Sequence, residues 1–148
     1  MIFGRGGGGG AINRVTERAD WTDRREVTVQ GGSYDSWRGA VDFGAGLSES
    51  AAVRFNAFYE NSDSYRDYVN VERFGINPTA TFALSPETQF RIGYEYFDDH
   101  RTIDRGVPSR NGRPLEIRES AFFGNPDQSY SDTAVHFVQA TLEHAFSP

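Results

Sequence analysis

The sequence predicts an all-β, antiparallel meander, and three observations carry that expectation. From Glu26 onward apolar residues fall on every second position, the period of a strand and not the 3.6-residue period of a helix. The longest unbroken apolar run in the 148 residues is three, as in Ala51 to Val53, so nothing approaches the about 20 residues of a membrane-crossing helix. The alternating segments are joined by polar turns and loops, as antiparallel neighbours are. No segment reads as a helix.

In chain order, the glycine tract Gly4 to Gly10 reads as a flexible turn, Ala11 to Thr16 as a short strand, and the charged stretch Glu17 to Arg25 as a linker. Glu26 to Ser33 is the first strand of the meander. In Trp37 to Ser48, the uncharged face Trp37, Gly39, Val41, Phe43, Ala45 and Leu47 lies opposite Arg38, Asp42 and Ser48. In Ala51 to Glu60, Val53, Phe55, Ala57 and Tyr59 oppose Arg54, Asn56 and Glu60, and Phe58 alone breaks the alternation. Arg73 to Leu84 and Gln89 to Tyr96 repeat the arrangement. The last strand, Thr133 to Phe146, has His136 and His144 interrupting its apolar face. Tyr34 to Ser36, Ser48 to Ser50 and Ser85 to Thr88 are expected as tight turns, Asn61 to Glu72 and Asp99 to Asp132 as long loops.

Composition narrows the class. All 15 basic residues are Arg, against 21 acids, and a net charge of −6 argues against a nucleic-acid partner. Cysteine is absent, which excludes disulfides and thiolate metal sites. No apolar stretch after Met1 reads as a signal peptide. A low mean hydropathy of −0.60 is compatible with a membrane β-barrel, whose strands are polar on alternate residues. A soluble two-sheet sandwich alternates in the same way, and both readings stay open on periodicity. Strands of about 8 to 12 residues suit a tilted membrane strand, and Tyr34, Trp37, Tyr59, Tyr94 and Tyr96 fall toward one edge, where an interfacial aromatic girdle belongs. On that reading Val41 and Phe55 face lipid, while Arg38, Arg54, Arg73, Arg91, Asp42 and Glu95 face the interior and form cross-strand and wall-to-interior ion pairs. A barrel must close on itself and six strands are too few, so the chain is expected to be part of something larger.

The residues also resemble a known family, the TonB-dependent outer-membrane siderophore receptors. Phe3-Gly4-Arg5-Gly6 and Gly9-Gly10-Ala11-Ile12-Asn13-Arg14-Val15-Thr16 are similar to the end of its plug domain. Trp37-Arg38-Gly39 and Val53-Arg54-Phe55-Asn56 are similar to its early barrel strands. Tyr65-Arg66-Asp67, Ile76-Asn77-Pro78, Asp104-Arg105-Gly106-Val107-Pro108 and Phe122-Phe123-Gly124 follow in the family's order. Arg14, Glu17 and the unbroken glycine run depart from its pattern. The resemblance implies a 22-stranded transmembrane barrel closed by a plug, in the outer membrane of a Gram-negative bacterium and in contact with its lipid. Residues 1–20 would be the end of the plug and 21–148 the first six barrel strands. It further implies uptake of ferric siderophore energised by the TonB complex through an N-terminal part not included here, with ferric iron carried as the chelate and no cofactor bound directly. The alternative is a soluble extracytoplasmic β-sandwich that binds carbohydrate.

Candidate ligand contacts lie in the long loop: Arg101, Arg105, Arg110, Arg113 and Arg118, with Phe122, Phe123 and Tyr130. Guanidinium groups and ring faces complement an anionic, aromatic chelate, which favours a catecholate. Interleaved acids such as Asp104, Glu116 and Asp127 equally predict a loop of solvated ion pairs. No catalytic residue and no metal site is expected. Asp98, Asp99 and His100 are adjacent on a strand and alternate in direction, and no Ser, His and carboxylate stand at triad spacing. Gly4-x-Gly6-x-x-Gly9 lacks the flanking strand and helix of a dinucleotide site.

Overall fold

The computed structural model describes residues 15–146, and the glycine tract and most of Ala11 to Thr16 lie outside them. Among the described residues eight strands form, β1 (Arg24–Gly31), β2 (Trp37–Ser48), β3 (Ala51–Asp63), β4 (Asn70–Ser85), β5 (Thr88–Thr102), β6 (Ser109–Arg110), β7 (Arg113–Pro114) and β8 (Tyr130–His144). Six of them make one antiparallel sheet in the order β1-β2-β3-β4-β5-β8, and β6 and β7 make a separate small hairpin. The meander is the expected one. Its later strands are longer than the alternation indicated, reaching 16 residues in β4 and 15 in β5 and β8. Asn61 to Asp63 and Asn70 to Glu72 therefore belong to strands, and the loop between β3 and β4 shrinks to residues 64–69.

The sheet has no apolar core. Among the described residues the only buried hydrophobics are Ala19 and Ala52, whereas Arg54, Thr81, Glu95 and Asp99 are buried polar residues. A sandwich buries the large apolar side chains of two inner faces. Here Phe43, Phe55, Phe74, Phe82, Ile92 and Leu142 are all exposed, so the arrangement is inside-out relative to a water-soluble sandwich.

Aromatic residues form a belt across the apolar face near the long-loop end. Trp37 meets Tyr59 at 4.8 Å between ring centroids, Phe74 meets Tyr96 at 6.2 Å, and Tyr96 meets His136 at 4.8 Å. The interruption at His136 is thus part of the belt, with Nδ1 2.8 Å from the Tyr94 hydroxyl. The belt slants across the strands. From Trp37 the register leads through Asn61, Glu72 and His100 to Asp132, yet the belt residue on β8 is His136. A fall of four residues over four strand steps, roughly 13 Å against 19 Å, is a tilt of about 35°. Phe74 to Leu84 then spans about 27 Å along the normal, close to the about 25 Å of a barrel's apolar band.

Phe58 points to the polar face, as its break in the alternation indicated. Space for it comes from Gly75 directly across the β3–β4 ladder, where an added Cβ would stand 2.5 Å from the Phe58 ring. Phe97 lies 6.3 Å away and the Arg38 guanidinium sits 4.3 Å above the Phe58 ring.

Candidate functional site

Two irregular segments lie against this framework, one over the polar face and one beyond its long-loop end. Residues 15–20 run without regular structure and, with Trp21, cross the polar face of β2 to β4. Arg54 reaches up from β3 to hold them. Its Nε and Nη2 donate to the two carboxylate oxygens of Asp42 at 2.8 and 2.6 Å, and Nη1 donates to Glu17 at 2.8 Å and to the Arg18 carbonyl at 3.3 Å. Thr81 donates to the Ala19 carbonyl at 2.7 Å, and Trp21 Nε1 donates to the Ser48 carbonyl at 2.7 Å. Glycine at 46 is required here, because a Cβ would stand 2.8 Å from the Trp21 indole. The Thr22 amide donates to Asp20 at 3.0 Å and holds that carboxyl below its ordinary value.

Arg38, Asp42, Arg54, Arg73 and Arg91 form the expected ion pairs, and Glu95 is buried on the same face. On the polar face near the loop end, Arg38 pairs with Glu60 at 2.8 Å, Glu60 with Arg73 at 3.6 Å, Arg73 with Asp99 at 2.7 Å, and Asp99 with Arg101 at 2.5 Å. Cations and anions thus alternate along a line from β2 to β5, which is what cross-strand neighbours of opposite sign stabilise. Arg91 pairs with Glu143 on β8.

Beyond the sheet, residues 64–69 and 103–129 fold onto each other. Arg66 joins them: Nε lies 2.9 Å from Asp104 and 3.1 Å from the Tyr65 hydroxyl, and Nη1 donates to the Ala121 carbonyl at 3.2 Å. The Tyr65 hydrogen bond, and the Asp104 charge to a smaller extent, raise the Arg66 pKa above its ordinary value and keep it cationic. The Asp67 amide donates to Ser120 at 2.8 Å, Arg118 pairs with Asp67, and the Tyr68 and Phe122 rings lie 6.4 Å apart. Gly124 makes room for Phe122, whose ring an added Cβ would meet at 2.6 Å.

The eight candidate residues divide by what holds them. Arg101 is committed to Asp99, Arg118 to Asp67, and Phe122 is half-buried against Tyr68. Phe123 is exposed, and Tyr130 is exposed while stacking on His100 at 5.7 Å. Arg105, Arg110 and Arg113 are exposed and have no ion pair among the described residues. Arg110 and Arg113 face each other across the β6–β7 hairpin, closed by Asn111 and Gly112 with φ of 53° and 73°. Consecutive positive φ values mark the hairpin turn that Asn-Gly favours, so this dipeptide was the available signal for an element the alternation missed. Like charges directly opposite one another destabilise a hairpin unless an anion lies between them. Arg66 was also missed, because only the fold brings its partners from 38 and 55 residues away.

Comparison with known proteins follows the same line. No family model matches the chain. The metal-pseudopaline receptor CntO of Pseudomonas aeruginosa is 30% identical over 148 residues, covering 99% of this chain and 21% of CntO. The catecholate siderophore receptor Fiu of Escherichia coli is 29% identical over 158 residues, covering 96% of this chain and 20% of Fiu. The chain therefore spans about one fifth of the length of the curated relatives it matches. Among solved structures, the closed form of the ferric-catecholate import receptor Fiu superposes with a TM-score of 0.82 at 24% identity, over 93% of this chain and 21% of that one. The siderophore receptor PiuA of Acinetobacter baumannii gives 0.82 at 22% identity, over 89% and 20%. The relatives and structural neighbours are TonB-dependent siderophore receptors, and the meander has the fold of the matching part of their structures.

Proposed function

We propose that the chain is the end of the plug, residues 1–20, and the first six barrel strands, residues 21–148, of a TonB-dependent receptor importing a ferric siderophore across the outer membrane of a Gram-negative bacterium. The observation that carries this reading is the sidedness of the sheet: its belted apolar face holds no buried residue, while its charged face is crossed by residues 15–21 and internally ion-paired. Only a wall with hydrocarbon outside and a polar filling inside makes that arrangement stable, since unpaired backbone and charge are excluded from lipid. A 22-stranded barrel closed around a plug is that wall completed, with the TonB complex engaged elsewhere in the receptor.

The iron is cargo, held by its chelator. Contact with an anionic chelate falls to Arg105, Arg110 and Arg113, and ring contact to Phe123 and Tyr130. Arg101 and Arg118, already paired with carboxylates, shape the loop and take no ligand. A catecholate fits best, because it offers anionic oxygens to the guanidinium groups and flat rings to the aromatics.

The test uses the complete receptor carrying these residues, in a strain lacking its own receptor, with a ferric tris-catecholate as sole iron source. Replacing Arg110 and Arg113 together by Gln is expected to weaken binding about tenfold at low salt and less at high salt, the size of a charge-assisted contact. Unchanged affinity at both salt concentrations would overturn the ligand assignment. A wild-type receptor that shows no heat-modifiable migration would overturn the barrel itself.

A further inference from the structure

Asn111 and Gly112 form the only Asn-Gly pair in the chain, and they lie at the tip of the β6–β7 hairpin with φ of 53° and 73°. Beyond closing a turn, this dipeptide carries a reaction. The side-chain amide carbon of an asparagine is electrophilic and stands one five-membered ring away from the backbone nitrogen of the next residue. When that residue is glycine, no Cβ shields the nitrogen. Attack by the Gly112 nitrogen on Asn111 Cγ forms a C–N bond while the bond from Cγ to Nδ2 breaks. Ammonia leaves with the Gly112 amide proton, and a cyclic imide remains. Water then adds to either imide carbonyl and opens the ring to aspartate or to its β-linked isomer, with no change in oxidation state.

Among the asparagines of the described residues, position decides which one reacts. Asn77 and Asn125 precede prolines, whose nitrogen has no proton to lose. Asn56, Asn61 and Asn70 lie in β3 and β4, where strand pairing resists the backbone rotation that ring closure needs. Asn111 is exposed, and little keeps its turn closed. β6 and β7 have two residues each, Pro114 brings no N–H to its pairing with Ser109, and Arg110 faces Arg113 with like charge. Beyond them the Leu115 amide donates to the Pro108 carbonyl at 3.0 Å, so the hairpin can open at its tip while joined at its base. The two flanking guanidinium groups also favour the deprotonated Gly112 nitrogen that attacks. We infer that Asn111 is a site of spontaneous deamidation, and that the carboxylate it becomes turns down anion capture by Arg110 and Arg113. The new charge adjoins both cations and lowers the hairpin from two positive charges to one, and the β-linked product also lengthens the main chain inside a two-residue turn. Capture of an anion from outside therefore declines with the age of the receptor, and no enzyme is needed. The deamidation stands on the hairpin alone, and its effect on uptake rests on the ligand reading above.

The experiment incubates the complete receptor in detergent, in mildly alkaline and mildly acidic buffer, and follows each asparagine by peptide mass spectrometry alongside binding of a ferric tris-catecholate at low salt. Asn111 is expected to convert ahead of every other asparagine, and faster in alkali because the attacking nitrogen must lose its proton. Wild-type affinity is expected to fall about threefold as conversion completes, half in free energy of the tenfold change expected for losing both cations. Asn111→Asp is expected to start at that lowered affinity. Asn111→Gln, whose longer side chain closes the ring poorly, is expected to keep through the incubation whatever affinity it begins with. Conversion of Asn111 no faster than that of Asn61 overturns the site. Binding by Asn111→Asp as tight as that of the unconverted wild type overturns the switch. The double variant Arg110→Gln with Arg113→Gln separates the two readings: weakened binding there confines that failure to the switch, and unchanged binding sinks the ligand reading and the switch together, leaving the site to be judged by mass alone.

Discussion

The strap over the polar face and the loop beyond the sheet are both irregular, and each is held by one arginine belonging to another element. Arg54 comes from a rigid strand and delivers its donors into residues 17 and 18 while gripping Asp42 beside it. Arg66 comes from a six-residue loop and holds a second loop through Asp104 and Ala121. Arg54 is left with 5% of its side chain exposed and Arg66 with 11%. The difference lies in what surrounds them. The strap is pinned to the wall at residues 17, 18, 19 and 21, whereas the loop is held through Asp104 and residues 118–122 and leaves the β6–β7 hairpin exposed. An arginine that staples the fold is consumed by its carboxylates, and arginines in the exposed part remain available to an anion from outside.

The sharpest way to break this comparison is at adjacent positions on opposite faces. Arg54→Gln removes the staple and leaves the Asp42 and Glu17 carboxylates without their cation, so it is expected to cost about 3 to 5 kcal/mol of barrel stability in urea titration. Phe55→Arg, one residue on, is expected to cost about 2 to 4 kcal/mol if its site is near the midplane. Alternation by itself makes Arg54 the milder of the two, because a lumen-facing charge is ordinarily wet. A loss below 1 kcal/mol for Arg54→Gln would mean that the strap is held by something else. Gly75→Ala comes next. It pushes Phe58 out from beneath Arg38 and is expected to cost about 1 to 3 kcal/mol by overpacking, and a companion Phe58→Leu change is expected to restore most of that loss in the same titration.

At the loop the expected effects are smaller and local. Arg66→Gln is expected to raise protease cleavage within residues 103–129 severalfold, with the loss of about 1 to 2 kcal/mol of local stability and no change in the urea midpoint of the barrel. Arg118→Gln breaks an exposed pair and is expected to cost less than about 0.5 kcal/mol, with cleavage near the wild-type rate. Equal cleavage of the two variants would show that Arg66 is no more a staple than Arg118.

How far the site was legible follows the same division. Arg38, Arg54, Arg73, Arg91 and Asp42 were readable as ion-paired interior charges, because period-two alternation puts them on one face and cross-strand neighbours on that face must balance. The eight loop candidates were readable only as a group. Nothing local to Arg101 distinguishes it from Arg105, yet Asp99 on the same strand face claims the first. Asn111-Gly112 was a local signal for the hairpin, and Phe58 with Gly75 was a pair whose meaning depended on register.

What the chain's order of residues determined by itself was periodicity and sidedness: two faces per strand, one apolar and one charged, with polar connections between. Those follow from backbone geometry alone, since successive side chains in a strand must point in opposite directions. Register, the slant of the aromatic belt and the choice of which arginines are consumed were decided only in the tertiary structure. Each depends on a partner tens of residues away, as Arg54 on Glu17 and Arg66 on Asp104 do, and no local rule counts across such a distance.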